Sequence, residues 1–164
     1  MIFVVMGICS SGKTVIGQML AKRLGLDFYD ADDFHPQSNI KKMKSQTPLN
    51  DSDRLPWLKA MAEQMLNWDK RGGAVLACSA LKESYRDILR TGGDVRFVCL
   101  KGTKEVILER MKNRKGHYMP TSLIDSQLKT LEEPQDAVIV DITGKPQEIV
   151  REIVKELDGL EKQI

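Results

Sequence analysis

Residues 7–14 match the pattern G-x-x-x-x-G-K-[ST]. They follow the apolar run Ile2 to Met6 and precede a helical pattern, which is the context this motif requires. In such a loop, backbone N–H groups turn inward onto phosphate oxygens, and the following helix adds its positive N-terminal end. The sequence therefore predicts a nucleotide phosphate site formed by the whole loop: Gly7, Ile8, Cys9, Ser10, Ser11, Gly12, Lys13 and Thr14.

Two side chains of this loop have distinct predicted roles. Lys13 would reach the β- and γ-phosphates, and the Thr14 hydroxyl would bind Mg²⁺. A nucleotide site alone does not separate kinases from switches and motors. In many P-loop ATPases and GTPases the second metal ligand is an Asp at the end of a hydrophobic strand. Here the apolar run Ala74 to Cys78 ends in Ser79-Ala80, without a carboxylate, which disfavours a nucleotide-dependent switch.

Carboxylates follow the second apolar run instead, as Asp30 and Asp32. In an extended segment, alternation would put both on one side, where one could hold the metal and the other could meet a substrate hydroxyl. We place Asp30 nearer the metal and Asp32 nearer the hydroxyl, although the reverse assignment is open. A solvated turn or helix cap would also explain the cluster. Together with the phosphate loop, it favours phosphoryl transfer to a small molecule.

The elements that must position these residues alternate along the chain. Short apolar runs predict strands at Ile2 to Met6, Phe28-Tyr29, Ala74 to Cys78, Val95 to Leu100 and Ala137 to Val140. Helical patterns lie between and after them, at Val15 to Leu24, Asp51 to Lys70, Lys82 to Arg90, Lys104 to Lys115, Ser122 to Leu131 and Pro146 to Leu157. This rhythm predicts an α/β fold with helices on both faces of a parallel sheet.

Length and composition indicate one domain, residues 1–164, with 41% hydrophobic residues and a net charge of +2. The small charge gives no case for a nucleic-acid partner, and no apolar run reaches the roughly 20 residues of a membrane span. Three cysteines in or beside apolar runs are typical of a reducing compartment, so we expect a cytoplasmic protein. Two polar stretches interrupt the rhythm: a substrate-side insertion at 35–57 and a lid at 113–121.

Several further motifs resemble the gluconokinase family, relatives of shikimate kinase among the small P-loop kinases. Beyond the phosphate loop they comprise Asp30-Ala31-Asp32, His35-Pro36, Asn39, Lys42-Met43, the run from Pro48 to Leu58, the run from Ala77 to Lys82, Tyr85-Arg86-Asp87, Leu100-Lys101-Gly102, Arg114 to His117, and Gln127-Leu128 to Pro134. The motifs span nearly the whole chain. Two positions depart from the family pattern, since Ser10 and Gln46 stand where glycine is usual.

The resemblance implies ATP-dependent phosphorylation of D-gluconate at its 6-hydroxyl, which yields 6-phospho-D-gluconate and ADP. It also implies a parallel five-stranded sheet in the order 2-3-1-4-5, a mobile lid and a homodimer. A related kinase of another sugar acid or polyol is the alternative. If the backbone at Ser10 or Gln46 needs a positive φ, the side chain there would be strained.

Gluconate carries a carboxylate and five hydroxyls, so its pocket needs a cation and several polar groups. Arg54 is our candidate for the carboxylate, because its guanidinium can bind it bidentately; an ion pair with a neighbouring Asp is the alternative. Lys82 and Arg86 would share a helix face toward the substrate, unless they are solvated surface charges. The remaining candidate substrate contacts are His35, Ser79 and His117.

Asp32 is our candidate to accept or orient the proton of the attacking hydroxyl. Arg110 and Arg114 lie four residues apart before the lid, a spacing that would aim both at the nucleotide. Arg114 would stabilise charge on the transferring phosphoryl group, and Arg110 could stack on adenine. A basic helix face balanced by Glu105 and Glu109 is the alternative for this pair.

Overall fold

The computed structural model describes residues 1–113 and 121–161. Five strands form one parallel sheet: β1 (Ile2–Met6), β2 (Asp27–Asp30), β3 (Ala74–Ala77), β4 (Val95–Lys101) and β5 (Val138–Asp141). Their order is β2-β3-β1-β4-β5, as the family resemblance implied. The register aligns Val5 with Ala77 and Met6 with Cys99, so the strands end along a common edge.

Six helices of the described residues follow the predicted pattern with small shifts at their ends, and one further short helix lies within the predicted insertion. They are α1 (Lys13–Leu24), α2 (Gln37–Lys44), α3 (Asp51–Lys70), α4 (Glu83–Arg90), α5 (Lys104–Lys112), α6 (Thr121–Thr130) and α7 (Pro146–Glu161). Gly25 ends α1 with φ of 69°, where its lack of a side chain removes the steric cost of the left-handed conformation. In the part of the chain described, no helix has the length and apolar character of a membrane span.

The core has two layers because successive residues of a strand face opposite sides of the sheet. Phe3 and Val5 of β1 pack on one side with α1, α5, α6 and α7. Ile2, Val4 and Met6 pack on the other with α3 and α4. The three-layer α/β prediction is confirmed.

The predicted insertion at 35–57 differs from the structure at its end. Asn50 caps α3 in a capping box with Asp53, and from Asp51 onward the chain belongs to a core helix. Trp57 and Trp68 of this helix are buried, as expected of core residues. The separate excursion is therefore α2 with its two flanking loops.

The acidic segment after β2 also differs from the sequence interpretation. It is not extended: β2 ends at Asp30, and residues Ala31–Phe34 form a 3₁₀ turn. The Asp30 side chain caps this turn, since its Oδ1 accepts a hydrogen bond of 3.0 Å from the Asp32 backbone N–H. A cap rather than strand alternation therefore brings the two carboxylates close together.

Candidate active site

The phosphate loop lies at the carboxyl edge of the sheet, between β1 and α1. Its backbone has positive φ at Gly7 (149°), Ser10 (61°) and Gly12 (94°). A Cβ at Gly7 would lie 2.8 Å from Ser11 Oγ and 2.9 Å from the Leu100 carbonyl oxygen. Such alternating turns direct successive N–H groups into a concave surface that suits an anion. Ser10 takes this conformation without being glycine, so the loop carries backbone strain at that residue.

Lys13 begins α1 and folds back over the loop. Its Nζ donates a hydrogen bond of 2.9 Å to the Ile8 carbonyl oxygen. Burial lowers the pKa of Lys13, and the nearby Cys9, Cys78 and Asp32 partly oppose that shift. An incoming phosphate would offer this ammonium a stronger, charged acceptor than the carbonyl.

Thr14 and Asp30 meet beside the loop. The Thr14 hydroxyl donates to Asp30 Oδ2 over 3.2 Å, so helix α1 and the end of β2 supply two adjacent oxygen ligands. Hydroxyl and carboxylate oxygens are the ligands Mg²⁺ prefers, and this ion usually takes few protein ligands together with waters and substrate phosphates. The pair fits that requirement. No group of three or more His, Cys, Asp or Glu side chains suited to a metal occurs in residues 1–113 and 121–161.

Asp32 faces the open side of the same region. Partial desolvation, together with the charge of Asp30, raises the pKa of this carboxyl above its ordinary value. Asp32 Oδ1 lies 4.0 Å from Nε2 of His35, whose side chain is buried. The His35 ring stacks on Trp57 with centroids 4.2 Å apart.

Arg54 lies on the first turns of α3 and does not form the ion pair considered as its alternative. Its Nη1 donates to the Leu49 carbonyl oxygen (2.8 Å) and to the Tyr85 hydroxyl (3.3 Å). Within the described residues, the guanidinium therefore donates hydrogen bonds only to neutral acceptors, and the Asp51 and Asp53 carboxylates act on it through their charge without an ion pair. A cation in this state is available to bind an anionic substrate group.

Lys82 is the N-cap residue of α4, and its ammonium and the Arg54 guanidinium both lie 5.6 Å from the centre of the Tyr85 ring. Its Nζ lies 3.2 Å from Asp51 Oδ1, which also accepts a hydrogen bond of 2.5 Å from the Tyr85 hydroxyl. The hydrogen bonds from Tyr85 and Lys82 lower the pKa of Asp51. The hydrogen bond between Lys82 and Asp51 also raises the pKa of Lys82. Lys82 thus lies at the predicted edge of the site, but it forms an ion pair with Asp51.

Arg86 does not fit its predicted role as a substrate contact. Its side chain is fully buried and points inward, not along a shared face with Lys82. It donates to the carbonyl oxygens of Ala80 and Glu132 (2.7 Å each) and to the Glu83 carboxylate (3.0 Å). The guanidinium therefore joins the β3–α4 loop to the segment after α6.

Arg110 lies beside the phosphate loop, on α5. A Cβ at Gly12 would be 3.6 Å from its Nη1, and its Nη2 donates to the Ile142 and Gly144 carbonyl oxygens. The contact joins α5 to the turn after β5. Arg110 therefore does not belong to a basic helix face balanced by Glu105 and Glu109, which was the alternative. Arg114 and His117 lie outside the described residues.

Several residues at this edge lacked an individual role in the sequence predictions. Asn39, Asp51 and Tyr85 connect the substrate-side helices, and Gln127 Oε1 accepts a hydrogen bond of 2.6 Å from the Cys9 backbone N–H. Ser79 lies near the loop, since its carbonyl oxygen accepts from the Gly7 N–H (3.3 Å). The contacts of these residues join segments that are distant in the sequence, so no local pattern predicts them. Their only signal in the sequence was that they belong to the motifs shared with the gluconokinase family.

Comparison with known proteins places the chain among kinases. The family model described as Shikimate kinase matches residues 9–158. A "Probable gluconokinase" from Xenopus tropicalis is 46% identical, with 96% of this chain and 94% of that protein covered. The chain belongs to the gluconokinase family. A "Thermosensitive gluconokinase" from Escherichia coli (strain K12) is also 46% identical, over 85% of this chain and 78% of its own.

A solved structure supports the gluconokinase assignment at the level of the fold. The crystal structure of a gluconokinase from Sinorhizobium meliloti 1021 matches with a TM-score of 0.90 and 44% identity, covering 98% of this chain and 93% of that one. The resemblance derived from the sequence motifs is confirmed, and as a member of a kinase family this protein uses ATP.

Proposed function

We propose that this protein transfers the γ-phosphoryl group of ATP to the 6-hydroxyl of D-gluconate, giving 6-phospho-D-gluconate and ADP. The carrying observation is that the phosphate loop, the Thr14–Asp30 pair and Asp32 lie together at one edge of the sheet. The membership in the gluconokinase family supports gluconate as the acceptor. A kinase of another sugar acid or polyol would use the same machinery and is the alternative.

The phosphate loop and Lys13 would hold the β- and γ-phosphates in the proposed reaction. The loop N–H groups bind phosphate oxygens, and Lys13 exchanges the Ile8 carbonyl for a charged oxygen. Thr14 and Asp30 would hold Mg²⁺, which neutralises phosphate charge when bound. Arg110 and Arg114 would add positive charge on the nucleotide side.

Asp32 would accept the proton of the attacking hydroxyl. As the oxygen of the hydroxyl forms its bond to the γ-phosphorus, the bond to the β–γ bridging oxygen breaks and ADP leaves. The proton of the hydroxyl passes to the Asp32 carboxylate. Phosphoryl transfer depends chiefly on positioning, so the removal of Asp32 should reduce kcat more than ATP affinity.

Arg54 would bind the carboxylate of gluconate, with Lys82, His35, Ser79 and His117 near its hydroxyls. Support for Arg54 comes from its neutral hydrogen-bond partners, because a guanidinium without an ion pair gains most from a carboxylate.

We further propose a homodimer in the cytoplasm. The buried thiols of Cys78 and Cys99 accord with a reducing compartment.

A coupled assay of ADP release tests this function. The acceptors are gluconate, shikimate, a nucleoside monophosphate and no acceptor, and we expect release with gluconate alone. Lys13→Ala should abolish transfer, whereas Lys59→Ala, an exposed lysine of α3, should not change it. Turnover with the nucleoside monophosphate but not with gluconate would refute gluconate as the acceptor. ADP release without an acceptor would instead favour a nucleotide-dependent switch.

A further inference from the structure

The Asn39 side chain is buried where α2 meets the start of α3. It is 1% exposed, although an amide seldom lies so deep without a specific set of partners. Its Nδ2 lies 2.9 Å from the Asp53 backbone carbonyl oxygen and 3.2 Å from Nδ1 of His35. The amide thus connects the first turn of α3 to the imidazole that faces Asp32.

The Asp53 carbonyl oxygen determines which way the amide is oriented. A carbonyl can only accept, so the NH₂ group of Asn39, and not its oxygen, must face it. That NH₂ group has two hydrogens, and its second partner is His35 Nδ1. Because Nδ1 accepts this hydrogen bond, it carries no proton. In a neutral imidazole the proton must then be on Nε2.

Packing holds the His35 ring in this orientation. The ring lies nearly parallel to Trp57, with 14° between the planes, and the Trp57 indole N–H donates to the Ala31 carbonyl oxygen over 2.7 Å. Burial lowers the pKa of His35, more than the opposing charge of Asp32 raises it, which accords with the neutral form. Nε2 is the ring nitrogen directed at Asp32.

We propose that Asn39 is a positioning residue: it fixes the His35 tautomer, so that His35 acts only as an Nε2–H donor toward the Asp32 carboxylate. This assignment rests on the proposed kinase function. The 4.0 Å between Nε2 and Asp32 Oδ1 is closed by rotation of the exposed carboxylate, since hydrogen bonds at catalytic sites commonly shorten when substrate binds. His35 then holds one carboxylate oxygen and leaves the other to accept the hydroxyl proton. His35 itself cannot be the base.

The tautomer can be read directly by ¹⁵N NMR of the imidazole nitrogens in the protein without substrate. The wild-type protein should show His35 with a protonated Nε2 and a bare Nδ1, and the signal is assigned by its loss in His35→Gln. A proton on Nδ1, or on both nitrogens at neutral pH, would overturn the proposal. This measurement needs no acceptor, so it is independent of whether gluconate is the substrate.

Three variants test the consequence for catalysis. In Asn39→Asp the carboxylate can only accept, so His35 Nδ1 gains a proton, and kcat should fall about 10- to 100-fold while the KM for ATP stays within twofold. Wild-type kcat with an altered tautomer would contradict the proposal. If that variant does not fold, His35→Gln and His35→Asn remain decisive. The Gln amide N–H reaches the position of Nε2 and should retain most of kcat, whereas Asn should not, and equal losses in the two would refute the donor role.

Discussion

At the scale of residues, the cations around the candidate site differ in how many of their donors the fold already uses. The Arg86 guanidinium donates hydrogen bonds to two carbonyl oxygens and a carboxylate inside the protein. Lys42 is held by both oxygens of Asp53 (2.8 and 2.9 Å). Arg54, by contrast, donates only to neutral acceptors among residues 1–113 and 121–161. The number of free donors, not the residue type, therefore separates a binding group from a structural one.

Arg54→Ala should raise the KM for gluconate about 10- to 100-fold, because a charge-assisted hydrogen bond to the substrate carboxylate contributes roughly 1.5–3 kcal/mol. The KM for ATP should not change, since the phosphate loop is intact. Steady-state kinetics with each substrate varied in turn measures both constants. Arg71→Ala is the matched control, because Arg71 is exposed at the opposite end of α3.

Arg86→Met provides the complementary control for a buried arginine. It leaves two carbonyl oxygens without their donor, so it should lower the free energy of unfolding by about 3 kcal/mol and leave the gluconate KM of the folded enzyme unchanged. Wild-type gluconate kinetics in Arg54→Ala would remove Arg54 from the site.

At the scale of elements, the end of α2 determines how the substrate-side helices are connected. The Thr47 N–H donates to the Lys42 carbonyl oxygen (2.8 Å) and the Gln46 N–H to that of Met43 (3.2 Å), the pattern of a Schellman motif. Gln46 occupies the left-handed position of this motif with φ of 58°. The family resemblance placed a glycine at this position, so strain was expected if the backbone needed a positive φ, and the observed φ meets that condition.

Gln46→Gly should stabilise the protein by about 0.5–1 kcal/mol. Removing the Cβ from a residue in the left-handed backbone conformation relieves a steric cost of roughly 1–2 kcal/mol. The greater conformational freedom of glycine in the unfolded chain offsets part of that gain. Thermal unfolding should show Tm rising by about 1–4 °C.

Two substitutions separate this backbone effect from others. Gln46→Ala retains the Cβ and should leave Tm nearly unchanged. Lys41→Gly places a glycine inside α2, where it should lower stability by up to about 1 kcal/mol. A fall in Tm in Gln46→Gly would mean that the Gln46 side chain contributes more than its conformation costs.

At the scale of the whole molecule, the centre of the sheet is sealed between the two helical layers. Cys78, just after β3, is 2% exposed, and burial raises the pKa of its thiol to about 12. Against 9.0 for a free thiol, this reduces the thiolate fraction about a thousandfold. Because the thiolate is the nucleophile, reaction of this residue requires the layers to separate.

Cys78 should therefore be alkylated by iodoacetamide only as the molecule unfolds. Pulse labelling across a denaturant series, read by mass spectrometry, should follow the unfolding curve seen by circular dichroism. Because the pKa is higher in the folded than in the unfolded state, the thiol should also make the free energy of unfolding decrease as the pH rises from 9 towards 12. Cys78→Ala should lessen that decrease. Rapid labelling of Cys78 in the native protein would contradict the prediction.

The sequence by itself determined the features that depend on local pattern. The motif at 7–14 and the alternation of strands and helices are read from neighbouring residues. The family resemblance marked Ser10 and Gln46 as positions where glycine is usual, and both have a positive φ. The resemblance carried by the motifs supplied the strand order. These features could be predicted because backbone propensity, hydrophobic period and turn conformation act over a few residues.

Only the tertiary structure decided which polar side chains keep hydrogen-bond donors that no group of the described chain accepts. Arg86 and Arg54 look alike in sequence, but the partners of Arg86 include Glu132, far along the chain, and those of Arg54 include Tyr85. Likewise, the proton on His35 follows from Asn39 and the carbonyl of Asp53, which only the packing of α2 on α3 brings together. Hydrogen-bond partners at this range are set by how the layers pack, and no local pattern in the sequence records that packing.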